Sequence, residues 1–159
     1  MTKETDDTSR AGTMVISEVG GPVDEARLTL GIHGPDLQPE EISALLRCAP
    51  TSSHLRGEAR RRGGVAYRQG AWLLTVEGSA PAEPDDLVRQ LLDRLPTDPA
   101  VWEQLVAKYT VRVGFGIFVG AWNRGFELSP SSLRQLAHFG VPIGFDIYAD
   151  GKEEEEGNK

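Results

Sequence analysis

The stretch TVRVGFGIFVG, Thr110 to Gly120, decides the fold. Val111, Val113, Phe115, Ile117 and Val119 alternate with Arg112, Gly114, Gly116 and Phe118. Period two marks a strand with one buried face, and β-branched and aromatic side chains suit a pleated surface. Gly114 and Gly116 fall together on the other face. Glycine weakens a strand, so a pair of them suggests that something approaches that face closely. That is either a helix backbone or a partner, and packing within the fold is the expected cause. Downstream, Leu128-Ser129-Pro130 opens a helix and Ile143 to Ala149 reads as a closing strand.

The first half repeats this pattern. Ala26, Leu28, Leu30 and Ile32 alternate with Arg27, Thr29, Gly31 and His33, and Gly34-Pro35 closes the strand. Pro39 then takes a first helical position, where its missing N–H costs nothing. Glu40 and Glu41 suit the positive end of the helix dipole. Leu37 and Ile42 are spaced as a hydrophobic staple, as are Leu128 and Leu133. Ile42, Leu45 and Leu46 make the buried stripe of the first helix, which ends near Cys48-Ala49-Pro50; Leu133 and Leu136 make that of the last, which Gly140 terminates. Ser129 is the better N-cap of the two helices, Gln38 the weaker. A strand over Tyr67 to Glu77, around Trp72, Leu74 and Val76, follows the first helix.

Two more helices lie between the halves. Pro84-Asp85-Asp86 opens one that Pro96 ends, and Asp98-Pro99 opens the next, with Val101, Trp102, Leu105 and Val106 on its buried side. Two β-α-β units joined by helices predict an α+β two-layer sandwich, ferredoxin-like in style. The right-handed crossover rule predicts parallel pairing inside each unit. Residues 13–149 form the single expected domain, with disordered tails at 1–12 and 150–159 and a short strand at Thr13 to Val19.

Charge sorts the partners. Of the net −7, the last ten residues carry −3 and the first ten −1, which leaves −3 for the body. An acidic body disfavours nucleic acid, whose nonspecific affinity comes from basic groups releasing counterions. The single cysteine, Cys48, excludes an internal disulfide and fits a reducing compartment. No apolar run approaches the roughly 20 residues of a membrane helix, and Met1 to Arg10 lacks an apolar signal region. The expectation is a cytoplasmic protein that engages no membrane.

Few residues point to chemistry. Arg56, Arg60, Arg61, Arg62 and Arg68, with Glu58, fill a long glycine-containing connection before Trp72. Arginine forks bind phosphate and carboxylate bidentately, so Arg56, Glu58, Arg60, Arg61, Trp72 and Asp146 are the candidate ligand-binding residues. A solvated basic loop is the simpler account. The glycines match neither a Walker A motif nor a dinucleotide fingerprint. Asp146 faces away from Phe145 and Ile147 and is expected to pair with an arginine or meet a ligand. Cys48 near His54 invites a nucleophile reading, but no third, orienting group accompanies them. His33, His54 and His138 lack metal-ligand spacing. The sequence therefore carries no catalytic constellation, no metal site and no cofactor motif.

Several features in order resemble the bacterial DUF4279 family, whose domains have no assigned function. They are the strand before Gly34; Leu37-Gln38-Pro39-Glu40-Glu41-Ile42; Pro50-Thr51 followed by Arg56-Gly57-Glu58; Trp72; Phe126-Glu127-Leu128-Ser129; and Phe145-Asp146-Ile147-Tyr148. The resemblance spans Ala26 to Ala149. It implies a compact α+β domain, similar to small acidic proteins among bacterial toxin-immunity neighbours, and supplies no catalytic residues. The functional expectation is a non-enzymatic protein-binding domain, in one form an immunity protein neutralising a toxin. The alternative is a domain binding a small anionic ligand through the arginine-rich loop.

Overall fold

Every helix among the described residues starts on a proline: α1 Pro39–Leu46, α2 Pro84–Leu92, α3 Pro99–Lys108 and α4 Pro130–His138. At the first helical position, proline loses no hydrogen bond and its ring presets φ. The residue ahead must then stay extended, as Gln38, Glu83, Asp98 and Ser129 all do. Asp98 and Ser129 also accept from Ala100 N and Ser132 N, whereas Gln38 and Glu83 make no side-chain cap bond. α1 stops at Leu46, a turn short of Pro50, because Arg47 turns left-handed (φ 52°) and Cys48 N–H reaches back to Ser43 O. Gly140 ends α4 at φ 62°.

The computed structural model describes residues 21–60, 64–120 and 123–149. The two tails, the strand expected at Thr13 to Val19, and Arg61 and Arg62 lie outside the described residues. The chain is a mixed α+β fold with one sheet. Its strands are β1 Val23–Gly34, β2 Ser52–His54, β3 Gly70–Ala82, β4 Thr110–Val119 and β5 Ile143–Ala149, in the order β2-β3-β1-β4-β5. Among neighbouring strands, only β4 and β5 pair in parallel.

Alternation fixes which face is buried. Ala26, Leu28, Leu30 and Ile32 of β1, Trp72, Leu74 and Val76 of β3, and Val111, Val113, Phe115 and Ile117 of β4 join the helices' Ile42, Leu87, Leu91, Trp102 and Leu136 in one core. Each valine, leucine, isoleucine or phenylalanine among them contributes about 1.5–3 kcal/mol of hydrophobic stabilisation. Helix α2 packs on β1 and β3, α1 on β3, α3 on β4, and α2 on α4. Two stripe residues depart from expectation: Leu133 is 48% exposed and Val106 43%, because each helix buries a narrower arc than its apolar count implies.

The expectation of parallel pairing inside each unit holds in the second half and fails in the first. β4 and β5 pair directly across α4. β1 and β3 are antiparallel neighbours. The strand that runs parallel to β1 after the α1 crossover is β2, only three residues long, and the following connection reverses the chain so that β3 inserts between β1 and β2.

Candidate functional site

The arginine-rich connection has a definite conformation. Gly57 at φ 86° turns the chain, Gly57 N–H donates to Tyr67 O and Tyr67 N–H to Glu58 O (both 2.9 Å), and Ala59 bridges Ala66 antiparallel. Tyr67 thus lies flat against His54, ring centroids 3.5 Å apart, and the Arg60 guanidinium lies 5.2 Å from the Tyr67 centroid. A hollow of about 520 Å³ opens beside this stack, lined by Thr51, Ser52, Ser53, His54, Glu58 and Tyr67 among others. Its one acidic lining residue is Glu58. Arg56 and Arg60 are exposed beside it; Arg61 lies outside the described residues.

Trp72 takes no part in that hollow. It points to the opposite face of β3, is fully buried, and donates its indole N–H to Ser43 Oγ at 3.0 Å, which in turn donates to Pro39 O at 2.8 Å. The strand's parity dictates this: Trp72 shares the face of Leu74 and Val76. Its expected place near a ligand pocket is corrected to a core position that anchors α1 to β3.

Sequence spacing missed a histidine pair. His33 and His54 are separated by 20 intervening residues, yet the register sets Ala71 opposite both, one on either side. Burial is the main cause that lowers both imidazole pKa values. For His33 the charges of His54 and Arg112 add to it; for His54, Glu58 opposes and Arg60 adds. Only strand pairing reveals this juxtaposition. Among the described residues no three His, Cys, Asp or Glu gather closely enough to hold a metal ion. Cys48 Sγ–H donates to Ala49 O.

The second face of the sheet also differs from expectation. A Cβ built on Gly114 would meet nothing within 4 Å. No helix backbone lies on Gly114, so packing within the described fold is not the reason for glycine there. On the same face Phe118 stacks on Tyr148 (4.7 Å), and Arg27 lies 6.0 Å from the Phe118 ring centroid while pairing with Glu77 at 2.8 Å. Asp146, in register with Gly116, forms no ion pair among the described residues, so its expected arginine partner is not found there.

β5 is one of the sheet's two edge strands, β2 being the other, and among the described residues it carries the most exposed large apolar side chains of any strand. Phe145 is 46% exposed, Ile147 65% and Tyr148 53%. Phe145 stacks on the buried Phe115 and lies near Phe126, yet it stays half-exposed. The hydrogen-bond phase follows from one contact: Val113 N–H donates to Pro142 O at 3.1 Å, with Val113 in register with Ile143. In a parallel ladder this turns the backbone groups of Gly144, Asp146 and Tyr148 toward β4. The N–H and C=O of Phe145 and Ile147 therefore point outward, along an edge that no described strand pairs.

The family described as "Domain of unknown function (DUF4279)" matches residues 24–150. The chain belongs to this DUF4279 family. The match runs from the start of β1 past the end of β5 and takes in both the histidine pair and the outer strand. No curated protein and no solved structure matches the chain. Among the described residues no helix is long and apolar enough to cross a membrane.

Proposed function

We propose that this DUF4279 chain is a non-enzymatic protein-binding domain that engages its partner along β5. The observation that carries the reading is the state of that strand: outward-facing backbone groups and half-exposed Phe145, Ile147 and Tyr148 on a single edge. Such an edge is a template for another chain, which natural proteins otherwise blunt with charge, proline or a bulge. β5 has only Asp146 by way of protection. The specific form we favour is an immunity-type protein acting in the bacterial cytoplasm on a toxin, with no nucleic acid, membrane or cofactor involved. We read the architecture as two layers in the ferredoxin style; the parallel direction of β1 and β2 with β3 set between them supports it.

Deleting the gene from its native host and challenging the strain with wild-type siblings tests the immunity form. Sensitivity that wild-type protein restores supports it; an indifferent strain contradicts it. A tagged pull-down tests the broader reading, which fails if no stoichiometric partner co-elutes at low salt. A second reading rests on the Arg60–Tyr67–His54 stack beside the polar hollow, as a seat for a small anionic ligand. Glu58 in the lining weighs against it, and an unmoved melting temperature across an anionic metabolite panel would remove it.

A further inference from the structure

Resting on the protein-binding reading, we propose that the partner adds an extended, basic strand to the free edge of β5. Phe145 and Ile147 each turn one donor and one acceptor outward, as do Ile143 and Ala149 at the ends of the strand. Their side chains lie on the core side of the sheet, continuing the apolar layer of Phe115. The intervening Asp146 and Tyr148 stand on the second face. An incoming strand thus meets apolar groups on one face and a carboxylate on the other, and a segment alternating apolar and basic residues complements both. Edge addition of this kind draws affinity from main-chain hydrogen bonds and specificity from alternate side chains.

The charge at the centre of β5 argues for a foreign strand over a second copy. Asp146 is the middle residue of Ile143–Ala149. A two-fold antiparallel pairing of two β5 strands about that centre sets Asp146 opposite its own copy. Because its backbone groups point inward to β4, that pair is of the non-hydrogen-bonded kind, with Cα atoms only about 4.5 Å apart. Like charges directly opposite are destabilising, whereas a lysine or arginine there forms a favourable cross-strand pair. The whole chain has the same bias, with 24 acids against 17 Lys and Arg.

Three variants of the full chain separate the terms. Ile147→Pro removes an outward N–H and leaves the ladder to β4 intact, a placement that edge strands tolerate. Ile147→Ala trims the same side chain and keeps the N–H. Asp146→Lys reverses the central charge without touching the backbone. The probes are two synthetic nine-residue peptides, one alternating lysine and valine and one alternating glutamate and valine, followed by NMR and titration. The lysine peptide should bind wild type, protect the Phe145 and Ile147 amides, and bind Ile147→Ala. It should fail to bind Ile147→Pro. Asp146→Lys should reverse the preference between the peptides, each charge pair shifting the dissociation constant up to about fivefold.

The charge reversal decides the matter on its own if the proline variant does not fold. Indifference to both variants overturns the proposal. So does protection of those amides in the peptide-free protein, whether a monomer whose own chain covers the edge or a dimer of two copies. A native partner that binds Ile147→Pro and Asp146→Lys as it binds wild type would leave the protein-binding reading standing and remove this one alone.

Discussion

Ser43→Ala should destabilise the domain far more than the loss of one exposed hydroxyl in a helix. The Ser43 hydroxyl is the acceptor for the Trp72 indole N–H at 3.0 Å, and Trp72 is fully buried. Alanine removes that acceptor and leaves the donor sealed from water. A buried donor without a partner costs about 1–3 kcal/mol, and alanine's better helix propensity returns only a few tenths. For a domain of this size the loss should lower the melting temperature by roughly 3–10 °C. Equilibrium urea unfolding measures it, and a double-mutant cycle isolates the bond. In Trp72→Phe, which has no N–H, Ser43→Ala should cost little, giving a coupling of about 1 kcal/mol or more. A Ser43→Ala variant within 0.3 kcal/mol of wild type, where surface changes usually fall, would refute the anchoring role assigned to Trp72.

Three further outcomes follow from named contacts. Gly114→Val should stabilise the protein by about 0.5–1 kcal/mol, since its Cβ meets nothing within 4 Å and valine favours a strand; a destabilised variant in thermal unfolding would mean that something lies on that face. Hydrogen bonds from the Ser132 hydroxyl first, and from Ser129, hold the Asp85 carboxyl below its ordinary 3.8. A depressed acid stabilises the fold above its unfolded value and loses that contribution as pH falls through the folded value. The stability difference between wild type and Asp85→Ala should therefore narrow below about pH 4, read from melting curves across pH, and a difference that stays constant would contradict the assignment. Both His33 and His54 should titrate below 6.5 by NMR, because burial disfavours their cations. Their unfolded forms take protons first, so stability should decline as pH drops from 6.5, and His33→Gln should flatten that decline.

Helix starts were the most legible part of the chain, because proline at the first position with an extended residue ahead is a local rule. Pro39, Pro84, Pro99 and Pro130 each obey it. Strand parity was equally plain, and it alone would have sent Trp72 to the core beside Leu74 and Val76. What the sequence could not supply was which strand lies beside which. β2, at three residues, is too short to show a period, and missing it hid the insertion of β3 and the antiparallel pairing with β1. The meeting of His33 and His54 across Ala71 depends on that pairing, so nothing in their spacing announced it. The exposure of Phe145 and Ile147 was hidden for a related reason. Alternation says that they share a face, while their exposure depends on whether another element reaches far enough to cover the outermost strand.

The most direct test of the account is residue-by-residue amide exchange along β5 in the isolated protein. Gly144, Asp146 and Tyr148, bonded to β4, should exchange slowly, while Phe145 and Ile147, facing outward, should exchange quickly. Uniform protection along β5 would mean that the edge is already filled, and the claim that it waits for a partner strand would be wrong.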